Sequence, residues 1–352
     1  MRKLSGITGI LLSFTLALTA CGSQQSTSNT QQQAQSTAQS ESNTKTQPSA
    51  EQTSNDKKVS SSLMGLGFEF MVMLSDSSKE IADKNGMALQ VFDANLDANK
   101  QATQMQNIIA TKPDAILLSA VDGRLISPSV KAANKAGIPI FAVEAQPLDG
   151  GYETWVGYDN YKAGEMAADY IAKAVGEKGT VLEQRGMVGA TGADLRSSGF
   201  NDAMKKYPNM KVVTLNNEWV ADKAFSNTLD AFTAHNDIVG TFSANDEMLR
   251  GVVSALKKLD KLKKIGEPGH IVMVGVDGTP LGLERIREGI QDVSLNQDAN
   301  EMGKLGMERM AMYFNGDKSY PKDTKLEPKI IDKNNVDDPN LWGNVMAAKM
   351  KK

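Results

Sequence analysis

From Lys57 onward the chain alternates short apolar runs with longer stretches in which apolar residues recur every three or four positions. The runs fall at 89–92, 115–118, 138–143, 181–182, 212–213, 238–242 and 271–276. Between them, segments such as Ala163–Val175 (AGEMAADYIAKAV) and Met248–Leu259 (MLRGVVSALKKL) show the spacing of an amphipathic helix. Strands joined through helices must run parallel, because only a long crossover returns the chain to the same edge of a sheet. The pattern therefore predicts an α/β fold of doubly wound parallel sheets with helices on both faces.

Before Lys57 the pattern is of another kind. Arg2 and Lys3 precede an apolar stretch from Ile7 to Leu18 that is too short for a standard membrane span, so residues 1–20 are expected to be an export signal. The signal ends in Leu18-Thr19-Ala20-Cys21, which resembles the lipobox of bacterial lipoproteins. That resemblance implies lipidation at Cys21; an ordinary secretory signal with an incidental cysteine is the other reading. Residues 23 to about 56 are almost wholly Ser, Gln, Thr, Asn and Ala. Such a segment buries too little surface to offset its ordering entropy, so residues 21–56 are expected to be a lipid-bearing cysteine followed by a disordered tether.

Composition narrows the possibilities. A chain of 352 residues that is 40% hydrophobic can build two ordinary domains. Its net charge of −3 gives no electrostatic reason to expect nucleic acid, and the basic run Lys257–Lys264 reads as the solvated side and tail of a helix. Cys21 is the only cysteine, which excludes an internal disulfide and a thiolate metal cluster. With only His235 and His270 available, each is expected to be a surface or turn residue, and no metal site is expected.

In doubly wound sheets ligands bind beyond the carboxyl ends of the strands. Four strand ends here carry polar groups: Val143 leads to Glu144, Phe242 to Asn245-Asp246, Val276 to Asp277, and Val293 to Asn296-Gln297. For Asp246 a helix cap or turn role is the preferred reading. Gly65-Leu66-Gly67 lacks the third glycine of a dinucleotide loop, since Phe70 stands in its place.

The motifs "YDNYKAGEMAADYIA" (158–172), "LRSSGF" (195–200), "SANDEM" (243–248) and "GVDGTP" (275–280), with Asp83-Lys84 before the second strand, resemble the type I periplasmic binding proteins, and within them the ribose-binding branch serving sugar ABC importers. The similarity runs over about residues 58–340. It implies two lobes joined by three crossover strands: an N-terminal lobe of residues 57–158 and 298–327, and a C-terminal lobe of 159–297 and 328–345. It also implies a monomeric binder with no cofactor that encloses a monosaccharide or polyol and presents it to ABC permease subunits, lipid-anchored on the outer face of the cell membrane.

Carried over by motif, the implied ligand-binding residues of the C-terminal lobe are Arg196, Trp219, Asn245, Asp277 and Gln297. The N-terminal lobe departs from the family pattern. Phe68 and Phe70 lie where ribose binders have Asn-Pro-Phe-Phe, and Glu144-Ala145 replaces an Asp-Arg pair. The resemblance thus implies a sugar-like ligand rather than ribose itself, and pentose, hexose, deoxy sugar and cyclic polyol all stay open.

Elementary chemistry makes the set sensible. A sugar offers C–H faces and a belt of hydroxyls, so it needs an aromatic plate and a mixture of donors and acceptors. Trp219 can be the plate, Asp277 and Glu144 acceptors, Arg196 a rigid donor fork, and Asn245 and Gln297 both. Trp219, Phe68 and Phe70 could instead pack in the lobes. Arg124, Gln184 and Arg185 are assigned to the surface or hinge.

An enzyme would need an activated nucleophile, a metal or a carboxylate pair across a scissile bond, and no such motif is present. Asp277 and Glu144 are the nearest approach to a glycosidase pair, but the family resemblance implies that they fall on opposite lobes. LacI-type repressors share the implied fold, but the signal, the tether and the missing helix-turn-helix speak against one. A sensor that reports to a receptor or histidine kinase uses the same closed state and stays open.

Overall fold

The computed structural model describes residues 57–351, so the expected signal, Cys21 and the tether lie outside the described residues. The chain begins with β1 (Lys57–Leu63), α1 (Glu69–Lys84), β2 (Met87–Asp93), α2 (Ala98–Thr111), β3 (Ala115–Leu118), α3 (Ser127–Lys135), β4 (Ile140–Val143) and β5 (Thr154–Tyr158). It crosses into a second unit of α4 (Asn160–Ala174), β6 (Gly179–Arg185), α5 (Thr191–Met204), β7 (Met210–Asn216), α6 (Ala221–Ala234), β8 (Ile238–Ser243), α7 (Asp246–Lys258), β9 (Val272–Asp277), α8 (Pro280–Arg287) and β10 (Val293–Asn296). It returns for α9 (Ala299–Phe314) and β11 (Asp323–Leu326), then crosses again into β12 (Lys329–Ile331) and α10 (Trp342–Met350).

Two six-stranded sheets result, ordered β11-β5-β4-β3-β1-β2 and β12-β10-β9-β8-β6-β7. The central strands β3 and β4 are buried along their whole length, as strands covered on both faces must be. The edge strands β2 and β7 are buried only in part. Every pairing is parallel except β10 with β12. The exception follows from the crossing. A strand that leaves the carboxyl edge of one sheet and enters the other from its carboxyl edge must run against its new neighbours.

Three features place the site. The helices α2, α4, α7, α8 and α9 are capped by Asp97, Asp159, Asn245, Thr279 and Asp298, each accepting a first-turn amide. Helices α4 and α5 touch through backbone, since a Cβ on Gly164 would lie 2.1 Å from the Arg196 carbonyl. Phe68 and Leu96 of the first lobe pack against a cluster of the second that includes Trp219 and Ala190, so the lobes meet across the cleft.

One expectation needs correction. Gln184 is fully buried rather than at the surface or hinge; it accepts from Asn217 Nδ2 at 2.6 Å and donates to Thr228 and Thr241, because an inward-facing amide on a central strand must find partners. His270 is a turn residue, as expected: its backbone N–H bonds the Glu267 carbonyl at 3.1 Å, and its ring bonds Asp292 at 2.9 Å and the Lys263 carbonyl at 2.8 Å. Arg124 is exposed, and Arg185 pairs with Asp194 at 2.6 Å.

Candidate functional site: a cavity between two sheet edges

The carboxyl ends of both sheets open on one cavity of about 500 Å3, counting its mouth. All eight residues singled out from the sequence line it: Phe68, Phe70 and Glu144 from the first lobe, and Arg196, Trp219, Asn245, Asp277 and Gln297 from the second. Met64, Met71, Ala145, Ala190 and Gly192 complete the wall.

Arg196 is placed by α5. Its Nε donates to Asn160 Oδ1 at 2.7 Å, and its two terminal nitrogens donate to the Ala244 carbonyl and Gln297 Oε1. A guanidinium has five N–H groups, three are engaged, and two remain for a ligand. The group also lies 5.6 Å from the Tyr158 ring and 5.9 Å from that of Trp219.

Asn245 caps α7 through Oδ1, which accepts from the Met248 amide at 2.8 Å, and this leaves its Nδ2 hydrogens uncommitted among the described residues. Asp246, expected to cap or form a turn, does neither for its own segment. Its carboxylate accepts from the Gly278 and Thr279 amides at 2.9 and 3.0 Å, from Ser294 Oγ at 3.0 Å and from Gln291 Nε2 at 3.0 Å. The reason is burial: a carboxylate with no solvent contact must collect donors, and the turn after β9 presents two amides. Asp246 thereby fixes the turn that carries Asp277.

The two cavity carboxylates are set in strained backbone. Glu144, Trp219 and Asp277 have φ values of 57°, 67° and 114°, a region that residues with a Cβ seldom adopt. Trp342 Nε1 holds the Asp277 carbonyl at 2.7 Å, and Trp155 Nε1 holds that of Glu144 at 3.0 Å. Ser119 Oγ donates to Glu144 Oε2 at 3.0 Å. Trp219 fits only because residue 186 is glycine, where a Cβ would fall 2.4 Å from the indole. Its Nε1 is buried and has no acceptor among the described residues.

Burial pushes both acids up. Asp277 is raised well above the ordinary carboxylate range by desolvation; Arg196 pulls it back, and Asp246 and Glu144 add to the rise. Glu144 is raised by desolvation against the opposing pull of Arg196 and the Ser119 hydroxyl. Neither forms an ion pair with Arg196 among the described residues, because that guanidinium is held by neutral acceptors.

Sequence reasoning did not single out Met64, Met71, Asn160 or Asp246. Asn160 and Asp246 lie inside the motifs quoted above, one residue after a helix-capping position; the two methionines gave no signal, since an apolar residue in a wall looks like any core residue.

The chain matches the model of the periplasmic binding protein domain over residues 62–318 and belongs to that family. It is 30% identical over 263 residues to the ribose import binding protein of Escherichia coli, covering 74% of this chain and 86% of the relative. It is also 30% identical over 212 residues to a xylitol-binding protein of Mycolicibacterium smegmatis, covering 59% of this chain and 58% of the relative. Among solved structures, a periplasmic solute binding protein of an ABC transporter from Actinobacillus succinogenes with bound D-allose superposes with a TM-score of 0.72 at 26% identity, covering 80% of this chain and 99% of the other. The two-lobed α/β architecture expected from the sequence is the fold of these proteins.

Proposed function

We propose that this chain is the extracytoplasmic binding component of an ABC sugar importer, which traps a monosaccharide or polyol between its lobes and presents the closed form to a permease. The lobes are residues 57–158 with 298–327 and residues 159–297 with 328–345. Lipidation at Cys21 would hold the trap at the outer face of the membrane. Binding is not coupled to chemistry, and the protein acts as a monomer.

The observation that carries this reading is the convergence of one indole and five polar side chains on a single cavity. Asp277 and Glu144 accept hydroxyl hydrogens, while the remaining Arg196 and Asn245 N–H groups, Gln297 and the Trp219 indole donate. Hydroxyls do both, so they match this mixture. The relatives named above, one a ribose importer component and another a xylitol binder, support the same class. Only a closed form lets one ligand touch both lobes, so ligand shifts the population toward closure.

Thermal unfolding of the full chain against pentoses, hexoses, polyols, nucleosides and amino acids tests it. A true ligand at a hundredfold over its Kd should add about 2.7 kcal/mol, several degrees in Tm. A shift with a sugar or polyol that Trp219→Ala or Asp277→Ala removes is the expected result. A shift with only a nucleoside or amino acid would overturn the ligand class.

A further inference from the structure

The cavity wall is polar on one side and apolar on the other. The second lobe contributes Arg196, Asn245, Asp277, Gln297 and the indole N–H of Trp219. The first lobe contributes Met64, Phe68, Phe70, Met71 and Ala145, and one polar side chain, Glu144. Glu144 already accepts the Ser119 hydroxyl, and that hydroxyl is thereby spent as a donor. The first lobe therefore offers the ligand an acceptor at one point and no side-chain donor.

Stacking alone does not account for this wall. A sugar ring has two faces, and Trp219 with one phenyl ring would cover both. A second phenyl and two methionines remain; all three belong to the core behind the wall, with Phe70 edge-on to Trp342 at 6.0 Å, and what they present to the cavity is apolar. Methionine and phenylalanine favour C–H and methyl groups and give a buried hydroxyl nothing to bond.

Resting on the sugar or polyol reading above, we propose that the ligand is a deoxy sugar whose methyl or methylene edge lies against Met64, Phe68, Phe70 and Met71, with its hydroxyls turned to the second lobe and to Glu144. A hydroxyl added at that edge would be desolvated without a partner, whereas the deoxy compound fills the same space with a carbon. An apolar pocket discriminates against an added hydroxyl by about 10- to 100-fold, which sets the size of the expected effect.

Titration calorimetry on the full chain with matched pairs tests this. The pairs are D-galactose with 6-deoxy-D-galactose, L-mannose with 6-deoxy-L-mannose, D-glucose with 6-deoxy-D-glucose, and D-ribose with 5-deoxy-D-ribose. The expected result is at least one pair in which the deoxy member binds tenfold or more tightly than its parent. Phe68→Asn, which puts a donor and an acceptor on the half-buried part of the wall, should shrink that ratio several-fold while leaving Tm within a few degrees. If the parent binds as tightly as the deoxy member in every pair that binds, this proposal falls and the sugar reading stands. If no member of any pair binds, this proposal falls, and the thermal panel of sugars and polyols above decides separately whether the sugar or polyol reading stands.

Discussion

Asp277 combines a strained backbone with a buried carboxylate, and both costs point to a residue kept for binding rather than for stability. Because burial raises its pKa in the folded protein, the native state holds a proton that the unfolded chain releases once pH passes the ordinary carboxylate range. Its contribution to stability is thus present at acid pH and is lost as pH rises toward the raised value. Asp277→Asn should accordingly raise Tm at neutral pH, lose that advantage near pH 4 and abolish binding; a variant less stable than the parent at neutral pH would refute this account. Asp246 acts through Asp277. Asp246→Asn should weaken ligand binding by tenfold or more, yet cost little further affinity in an Asp277→Ala background, and a double-mutant cycle by calorimetry reads the coupling directly. The sequence marked Asp277, Glu144 and Asn245 as chemistry because a polar group at a buried strand end has little else to do. It could not mark Asp246, since a carboxylate at a helix start looks the same whether it faces solvent or a turn some thirty residues away.

Helix α5 can hold Arg196 in the cavity only while α4 lies against it. Gly164→Ala would drive a methyl group into the Arg196 carbonyl and force the helices apart, at about 1–3 kcal/mol and with a matching loss of affinity. Equal affinity and Tm in the variant would show that the contact does not position the site. The segment before β9 is tied by His270 to Asp292. Desolvation pulls the His270 pKa down, but the bonds to Asp292 and the Lys263 carbonyl outweigh it, and the net shift is upward. A raised histidine stabilises below its ordinary pKa of about 6.5, and the contribution disappears as pH rises through the folded value. The difference in Tm between the parent and His270→Phe should therefore be larger at pH 5.5 than at pH 8.5. Seven apolar runs marked β2, β3, β4, β6, β7, β8 and β9, and helical spacing marked α4 and α7, but β1, β5, β11 and β12 were not among them. The antiparallel direction of β12 depends on the sheet from which the chain arrives.

At the scale of the molecule, Glu69 at the start of α1 shares a cleft with Asp246, Glu247 and Asp277. Desolvation and the charges of Glu247 and Asp246 raise the Glu69 pKa against the pull of Arg285 and the Leu281 amide. In the proposed trap, ionised Glu69 would therefore oppose closure, and the penalty is absent where Glu69 is protonated and present above its raised pKa. Glu69→Gln should bind ligand several-fold more tightly at neutral pH and no more tightly near pH 4, where Glu69 is protonated in the parent too; an advantage that persists at low pH would exclude the electrostatic cause.

Apolar periodicity determined the α/β class, and polar residues at strand ends, with the motifs around them, determined most of the cavity's members. Those signals are local, fixed by the pleat of a strand and the turn of a helix. Tertiary structure alone decided that Arg196 is held by Asn160 and Gln297, that Asp246 secures the Asp277 turn, and that the first lobe's wall is apolar. Each depends on segments far apart in sequence, and only packing sets what one such segment presents to another.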